Sequence, residues 1–447
     1  MHNSHRQFNR GQFETWFHQL VSRATLRTLW RKCHPRARRG RKLHAEQCAT
    51  ALVYHGLRRQ GTLAQHVNEL FGITLSESAL AQRRARLPWE LFTRLLELAL
   101  GPLAERRRHA GAFYHGLRLV GIDGTQWSVR NTPRILGALS KAAARRLNAA
   151  FAKIGLVVLV ELGMHNPLAA AIGQAGESEA ALARWAVQAL PEKCLLLGDR
   201  LYGTAKWVVA WLGLCRERQS ELLVRVRGNL KARVLETLAD GSALVELLGR
   251  DEQGRKQRVT VREIRGRVLG RGGKVTALRL WTSLLDAGKY PARELVELYA
   301  QRWEQELSYR ELKIELRGGA LLASHTVATA AQELACVVIA QAVVARLRAQ
   351  AGGAAVLRVS FAKVVAVMEG VWLTLAVGAG VLSERQEAAL VQRALTYLAA
   401  VLSPPRRARS CPRAVRQPVT GWPRLTKNES LGGAITYEIL PVSTNQS

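Results

Sequence analysis

Short apolar runs alternating with helical stretches between residues 117 and 227 constrain this chain more than any other feature. The run 117–122 is apolar and ends at Asp123, with Gly124 immediately after it. Two further apolar runs, 151–161 and 167–173, read as strands. Residues 177–190 have a helical pattern, and 194–197 forms a buried strand ending in Gly198 and Asp199. A second helix and a strand over 221–227 complete an α/β pattern. Both aspartates are expected at the carboxyl ends of their strands, where open α/β sheets place ligands. A lone Asp before Gly is more often a turn residue, so each aspartate alone says little.

From 229 to 288 the texture changes. Gly-punctuated alternating stretches such as VTVREI and KVTALRLWTSLL indicate an antiparallel β insertion. A helix begins at Pro291 and contains YAQRWEQELSYRELK over 299–313, with no Pro or Gly to interrupt it. At about 100° per residue, with Tyr299 at zero, Arg302 falls near −60°, Glu306 near −20° and Lys313 near −40°. Glu297, Glu304, Glu311 and Glu315 fall on roughly the opposite side. Glu304 is thus the expected silent neighbour of Glu306. A carboxylate alone among cations suits a metal ion flanked by phosphates. A solvated face of paired charges is the bland alternative. After this helix, 321–350 and 357–377 are long apolar helical segments that would cover the sheet. The run 364–382, broken by Glu369 and several glycines, is taken as buried and not membrane-spanning.

The charge balance selects the partner. The 447 residues carry a net charge of +32 with a pI near 11.1, which calls for a polyanion, nucleic acid before membrane. Between Glu14 and Glu46 there is no acid, while Arg23, Arg27, Arg31, Lys32, Arg36, Arg38, Arg39, Arg41 and Lys42 accumulate. Residues 62–71, a turn at Gly72 and a second helix capped by Ser76 and running to Arg86 resemble a helix-turn-helix. Gln82, Arg83, Arg84 and Arg86 at its end suit groove edges and phosphates. Residues 404–428 form an acid-free, proline-rich basic tail. The six cysteines follow no zinc spacing and suit a reducing cytoplasm. The polar opening MHNSHRQFNR has no signal pattern.

Tyr299, Arg302, Glu306 and Lys313, spaced by two, three and six residues, resemble the signature of Asp-Asp-Glu transposases of the insertion sequence four family. The phrases VGIDGTQW around Asp123 and LLGDRLYG around Asp199 resemble that family's two aspartate phrases, and ELLVRVRGNL and QELACVVIAQAVVARL extend the likeness. The resemblance implies a ribonuclease H-like catalytic core with an antiparallel β insertion, beside a helical N-terminal DNA-binding domain. The domains would be 1–110, 111–228, 229–288, 289–400 and a basic tail over 401–447. Asp123, Asp199 and Glu306 would be catalytic metal ligands for Mg²⁺ or Mn²⁺, with two ions expected. Tyr299, Arg302, Lys313, Arg83 and Arg84 would bind DNA. The implied activity is metal-dependent strand cleavage and transfer at terminal inverted repeats. A homodimer would act on double-stranded end and target DNA, in the bacterial cytoplasm at the nucleoid and not at a membrane. A ribonuclease H-like nuclease or resolvase without strand transfer, or an inactive DNA-binding regulator, are the alternatives. One departure stands out. Some relatives stack a Trp on a flipped base four residues before a strand Thr, but here Leu278 stands there before Thr282, and Trp281 is out of register.

Overall fold

In the computed structural model, which describes residues 12–33, 43–58, 60–141, 149–251, 253–269, 275–405 and 436–440, the first apolar run becomes a longer strand than its sequence suggests. Leu117–Ser128 is twelve residues long and continues through Asp123, which pairs with Val158 in mid-strand. The expected strand end at Asp123 is therefore incorrect. Gly124 does not turn the chain; it admits Glu179, whose side chain would lie 2.3 Å from an added Cβ. The described chain divides into two units, Met1–Pro191 with Glu304–Ser403, and Glu192–Trp303 with Pro404–Ser447.

In the first unit, Leu117–Ser128, Lys153–Glu161 and Asn166–Ile172 form an antiparallel meander, with a register shift between Leu159 and Val160. Leu156 to Val160 are all buried, so the central strand is a continuous apolar run rather than an alternating one. Helix Glu179–Val187 packs on this meander, and helix Val327–Gly352 packs on strand Asn166–Ile172. The latter, extended to Arg358, is the one described helix long and apolar enough to cross a membrane. However, 83% of its apolar window is buried in the protein, as for a core helix. The 364–382 run forms helix Phe361–Val377, which buries Val364, Val365, Met368 and Trp372.

The helices before residue 110 do not stand apart. Ala45–Leu57 packs along Val327–Gly352, and Gly56 allows the approach, since an added Cβ would lie 3.3 Å from the Cys336 carbonyl oxygen. One hydrophobic core runs from Leu52, Val53 and Leu57 through Leu334 and Val338 to Ile154 and Leu156. The boundary expected near residue 110 is thus no boundary between compact units. The apolar faces of these helices find their partner on a helix more than 200 positions later in the chain. Leu63–Phe71 and Glu77–Ala85 form as expected, with Gly72 left-handed at φ 63° and Ser76 accepting the Ala79 N–H. Of the N-terminal basic run, Arg23 pairs with Glu14 and Arg27 with Glu46; residues 34–42 lie outside the described residues.

In the second unit, Cys194–Gly198 and Glu221–Arg225 are parallel, joined by helix Ala205–Glu217. Glu221–Arg225 then continues into an antiparallel ladder of Val275–Thr282, Lys256–Leu269, Ala243–Arg250 and Arg233–Thr237. These four strands lie within 229–288, the stretch whose sequence alternates as antiparallel β. They have a polar heart: Arg262, fully buried, donates to Ser242 Oγ at 2.7 Å, to the Tyr290 carbonyl at 2.6 Å and to Asp240. Trp281 is buried as well and donates from Nε1 to Glu263 at 2.8 Å, so it presents no face for a flipped base. The C-terminal segment is not wholly a tail, because Thr436–Leu440 pairs with Lys256–Leu269. The basic stretch 406–428 lies outside the described residues.

Candidate functional site

The long helix of the signature is not one regular α-helix. Ala292–Tyr299 passes into a 3₁₀ turn over Ala300–Arg302, then α-helix Trp303–Arg310 and a π segment Glu311–Leu316. Three residues per turn in the 3₁₀ segment and wider winding in the π segment shift every azimuth beyond them. The azimuths calculated for a uniform helix are therefore not those of this chain. π segments recur at functional sites, and this one carries Lys313.

Contacts within the first unit tie residues on either side of Glu306 to the backbone of Asp123 and Val158. Gln305 is fully buried and donates from Nε2 to the Val158 carbonyl at 3.1 Å. Tyr309 donates to the Asp123 carbonyl and accepts the Val158 N–H at 3.2 Å. The residues one before and three after Glu306 thus seat its helix on the two strands that carry Asp123 and its partner Val158. Burial, and then the Asp123 charge, push the Tyr309 phenol far above its ordinary pKa, so it stays a donor. Gly124 N–H reaches Asp123 Oδ1 at 2.9 Å and Glu179 Oε1 at 3.1 Å. Lys313 donates to Thr125 Oγ1, and to the Gln126 carbonyl at 2.8 Å, with its ammonium 5.9 Å from the Trp127 ring centre. Burial, and secondarily Lys153, lower the Lys313 pKa.

The second unit gathers Asp199, Arg225, Tyr299 and Arg302. Asp199 Oδ1 accepts the Leu201 N–H at 2.7 Å, which fixes the carboxylate just beyond its strand. Tyr299 donates to the Gly198 carbonyl at 3.1 Å. Its phenol is raised well above the ordinary range by burial, while Arg302 and Arg225 pull it down and Asp199 pushes it up. Burial, then Arg200, lowers the Arg225 pKa. Gly203 of the LLGDRLYG phrase is obligatory for packing, because an added Cβ would fall 1.8 Å from the Arg225 carbonyl oxygen. Arg225 escaped sequence reasoning; its only sign there is an arginine alternating with apolar residues in LVRVR.

Two residues that the sequence analysis singled out have partners within the protein. Arg84 bonds Ser324 Oγ at 2.8 Å, Gln332 Oε1 at 3.3 Å and the Thr329 carbonyl, and lies 3.8 Å from Glu333. Arg83 donates to the Leu43 carbonyl. Glu304 is not a silent neighbour either. His165, fully buried, contacts Glu304 Oε2 at 2.7 Å through Nε2 and Glu311 Oε2 at 2.9 Å through Nδ1. Glu311 is also held by Arg348 Nη1 at 3.1 Å. Burial opposes the imidazolium, but the Glu311 charge and the bonds to both carboxylates outweigh it, and the His165 pKa is raised. This network grips the chain on both sides of Glu306. Sequence gave no sign of it, because its members are 37 to 183 positions apart except for the Glu pair.

Asp123, Asp199 and Glu306 are oxygen donors, the chemistry that a hard divalent cation prefers. Among the described residues no group of three or more His, Cys, Asp or Glu side chains is assembled to hold a metal; Asp123 and Glu306 belong to one unit and Asp199 to the other.

Comparison with known proteins agrees with the motifs. Residues 114–341 match the family described as the transposase DDE domain. The transposase InsG for insertion sequence element IS4 of Escherichia coli (strain K12) is 29% identical over 283 residues, which are 62% of this chain and 63% of that protein. The chain thus matches less than two thirds of that relative's length. Among solved structures, the cryo-EM structure of the piggyBac transposase synaptic complex with hairpin DNA has a TM-score of 0.40 at 9% identity, covering 90% of this chain and 89% of that one. The family match takes in just over half of the 447 residues, and the chain belongs to the transposase DDE domain family.

Proposed function

We propose that this protein is a DNA transposase that cleaves and joins strands at the terminal inverted repeats of an insertion sequence. The observation that carries the reading is that the family match over 114–341 contains Asp123, Asp199 and Glu306 as well as Tyr299, Arg302 and Lys313. In this reading the catalytic core is ribonuclease H-like, supported by the three-stranded meander in one unit and the parallel strand pair in the other. The acidic residues would hold divalent ions, Mg²⁺ or Mn²⁺ and two in number. Such ions stabilise charge on the attacking and leaving oxygens of an in-line phosphoryl displacement.

The chain's own residues orient the DNA. Lys313, anchored on Thr125 and the Gln126 carbonyl, offers a point charge to a phosphate beside the Asp123 strand. Arg302 offers a planar fork suited to bidentate phosphate binding. Tyr309 and Gln305 hold the Glu306 helix in place and so limit the reorganisation needed during reaction. The partners are end and target duplexes, bound by a homodimer in a synaptic complex in the bacterial cytoplasm at the nucleoid.

The test is incubation of the full chain with Mg²⁺ and DNA flanking its own gene, followed by mapping of cut and joined ends. Nicks at the element ends with joined products are expected, and Asp123→Asn, Asp199→Asn and Glu306→Gln should each abolish both. Cutting without joining would leave a nuclease or resolvase, and binding without cutting would leave a regulator.

A further inference from the structure

A cavity of about 220 Å³ in the first unit is lined by Arg108, His109 and Arg346 among apolar walls that include Leu103 and Leu347, with Glu105 also contributing. Two of its buried donor atoms, on His109 and Arg346, have no acceptor among the described residues. His109 is 4% exposed, and its Nδ1 accepts the Glu105 N–H at 3.0 Å, so the ring proton must be on Nε2. That Nε2 is buried and has no hydrogen-bond partner among the described residues. The same is true of Arg346 Nε, and burial alone lowers the pKa of this guanidinium, with no neighbouring charge acting on it among the described residues. Glu105, the acid of the lining, already faces Arg108 at 3.9 Å.

Buried donors without acceptors are rare and point to a missing ion, ligand or water. Here the deficit is entirely of acceptors, one donor carries a full charge, and a second guanidinium stands at the same cavity. An oxygen-rich anion satisfies this set, and a tetrahedral one offers an oxygen to each donor while apolar walls enclose the rest. We propose that this cavity is a phosphate-binding site, with Arg346 and His109 as its inner donors and Arg108 as its outer one. None of these residues belongs to the proposed acidic set, so the site can stand or fall independently of transposition. The phosphate could be free inorganic phosphate or the terminal phosphate of a nucleotide or DNA strand.

The experiment is calorimetric titration of the full chain with inorganic phosphate and, separately, with deoxyadenosine 5′-monophosphate, at constant ionic strength set by chloride. The expected result is one saturable site per chain, weakened by about tenfold or more in Arg346→Met and in His109→Asn, as for loss of a charge-assisted or buried bond. His109→Asn keeps an acceptor for the Glu105 N–H while removing the inner donor, and Arg346→Gln replaces Arg346→Met should that variant not fold. Arg94→Ala, an exposed position elsewhere, should bind as wild type and controls for diffuse attraction to a basic chain. Tighter binding of the nucleotide identifies a strand terminus as the source, and equal or tighter binding of inorganic phosphate identifies the free ion. Absence of a saturable site, or equal affinity in wild type and both cavity variants, overturns the proposal and leaves a water-filled cavity.

Discussion

Replacing His165 by Asn tests whether the buried charge network is what holds the Glu306 helix. His165 has a left-handed backbone, φ 51°, which Asn also tolerates, so the substitution isolates the side chain. It removes the ring contacts at 2.7 Å to Glu304 and 2.9 Å to Glu311. Removing one partner of a buried pair costs roughly 3–5 kcal/mol. Arg348 still neutralises Glu311, and the Glu304 side chain is 22% exposed, so the lower end applies, about 3 kcal/mol. For a unit of this size that lowers Tm by roughly 6 °C.

The pH dependence has a definite sign. The folded-state pKa of His165 is raised from the model-compound 6.5. Its stabilisation is therefore fully present below that value and is lost as pH rises through the folded-state pKa. The gap between wild type and His165→Asn should be widest in mild acid and should narrow toward alkaline pH. The assay is urea unfolding of both proteins from pH 5.5 to 9, followed by fluorescence. A gap below about 1 kcal/mol, or one that widens with pH, would falsify the network as the source of stability.

Glu306→Gln should leave Tm within a few degrees of wild type yet reduce single-turnover strand cleavage by several orders of magnitude, roughly the scale of lost electrostatic catalysis; cleavage within tenfold of wild type would remove Glu306 from the acidic set. Gly203→Ala sets a Cβ 1.8 Å from a backbone oxygen, so it should destabilise the second unit by about 3 kcal/mol or more, and an unchanged urea midpoint would refute that close approach. Arg84→Gln loses bonds to Ser324, Gln332 and Thr329 and should cost about 2–4 kcal/mol. The salt dependence of DNA binding should be unchanged; a slope reduced by one phosphate contact would restore Arg84 to the DNA interface. Cys48, Cys194, Cys215 and Cys336 are buried, with the Cys48 thiol pushed up to about 11 and the Cys215 thiol to about 12 by burial. They should resist alkylation at neutral pH until urea unfolds the chain, and rapid labelling of all four under native conditions would contradict their placement.

What the sequence determined by itself is local. Apolar runs over 151–161, 167–173 and 194–197 became strands because their side chains leave no other way to bury them, and Thr62, Gly72 and Ser76 set the ends of two helices through bonds within four residues. The antiparallel strands over 233–269 were legible for the same reason: Gly241 and Gly254 take the left-handed backbone that two of their turns require. The signature residues were legible as a spacing, but their surroundings were not. Whether Asp123 ended a strand depended on Val158, 35 positions away, and on Glu179 filling the space that Gly124 leaves. Whether Arg84 faced DNA or protein depended on Ser324 and Gln332. The role of Glu304 depended on His165, a residue that looks in the sequence like any loop histidine. Hydrogen bonds and buried charges join residues wherever the fold brings them together, and their energy depends on distance and burial, neither of which a one-dimensional pattern contains.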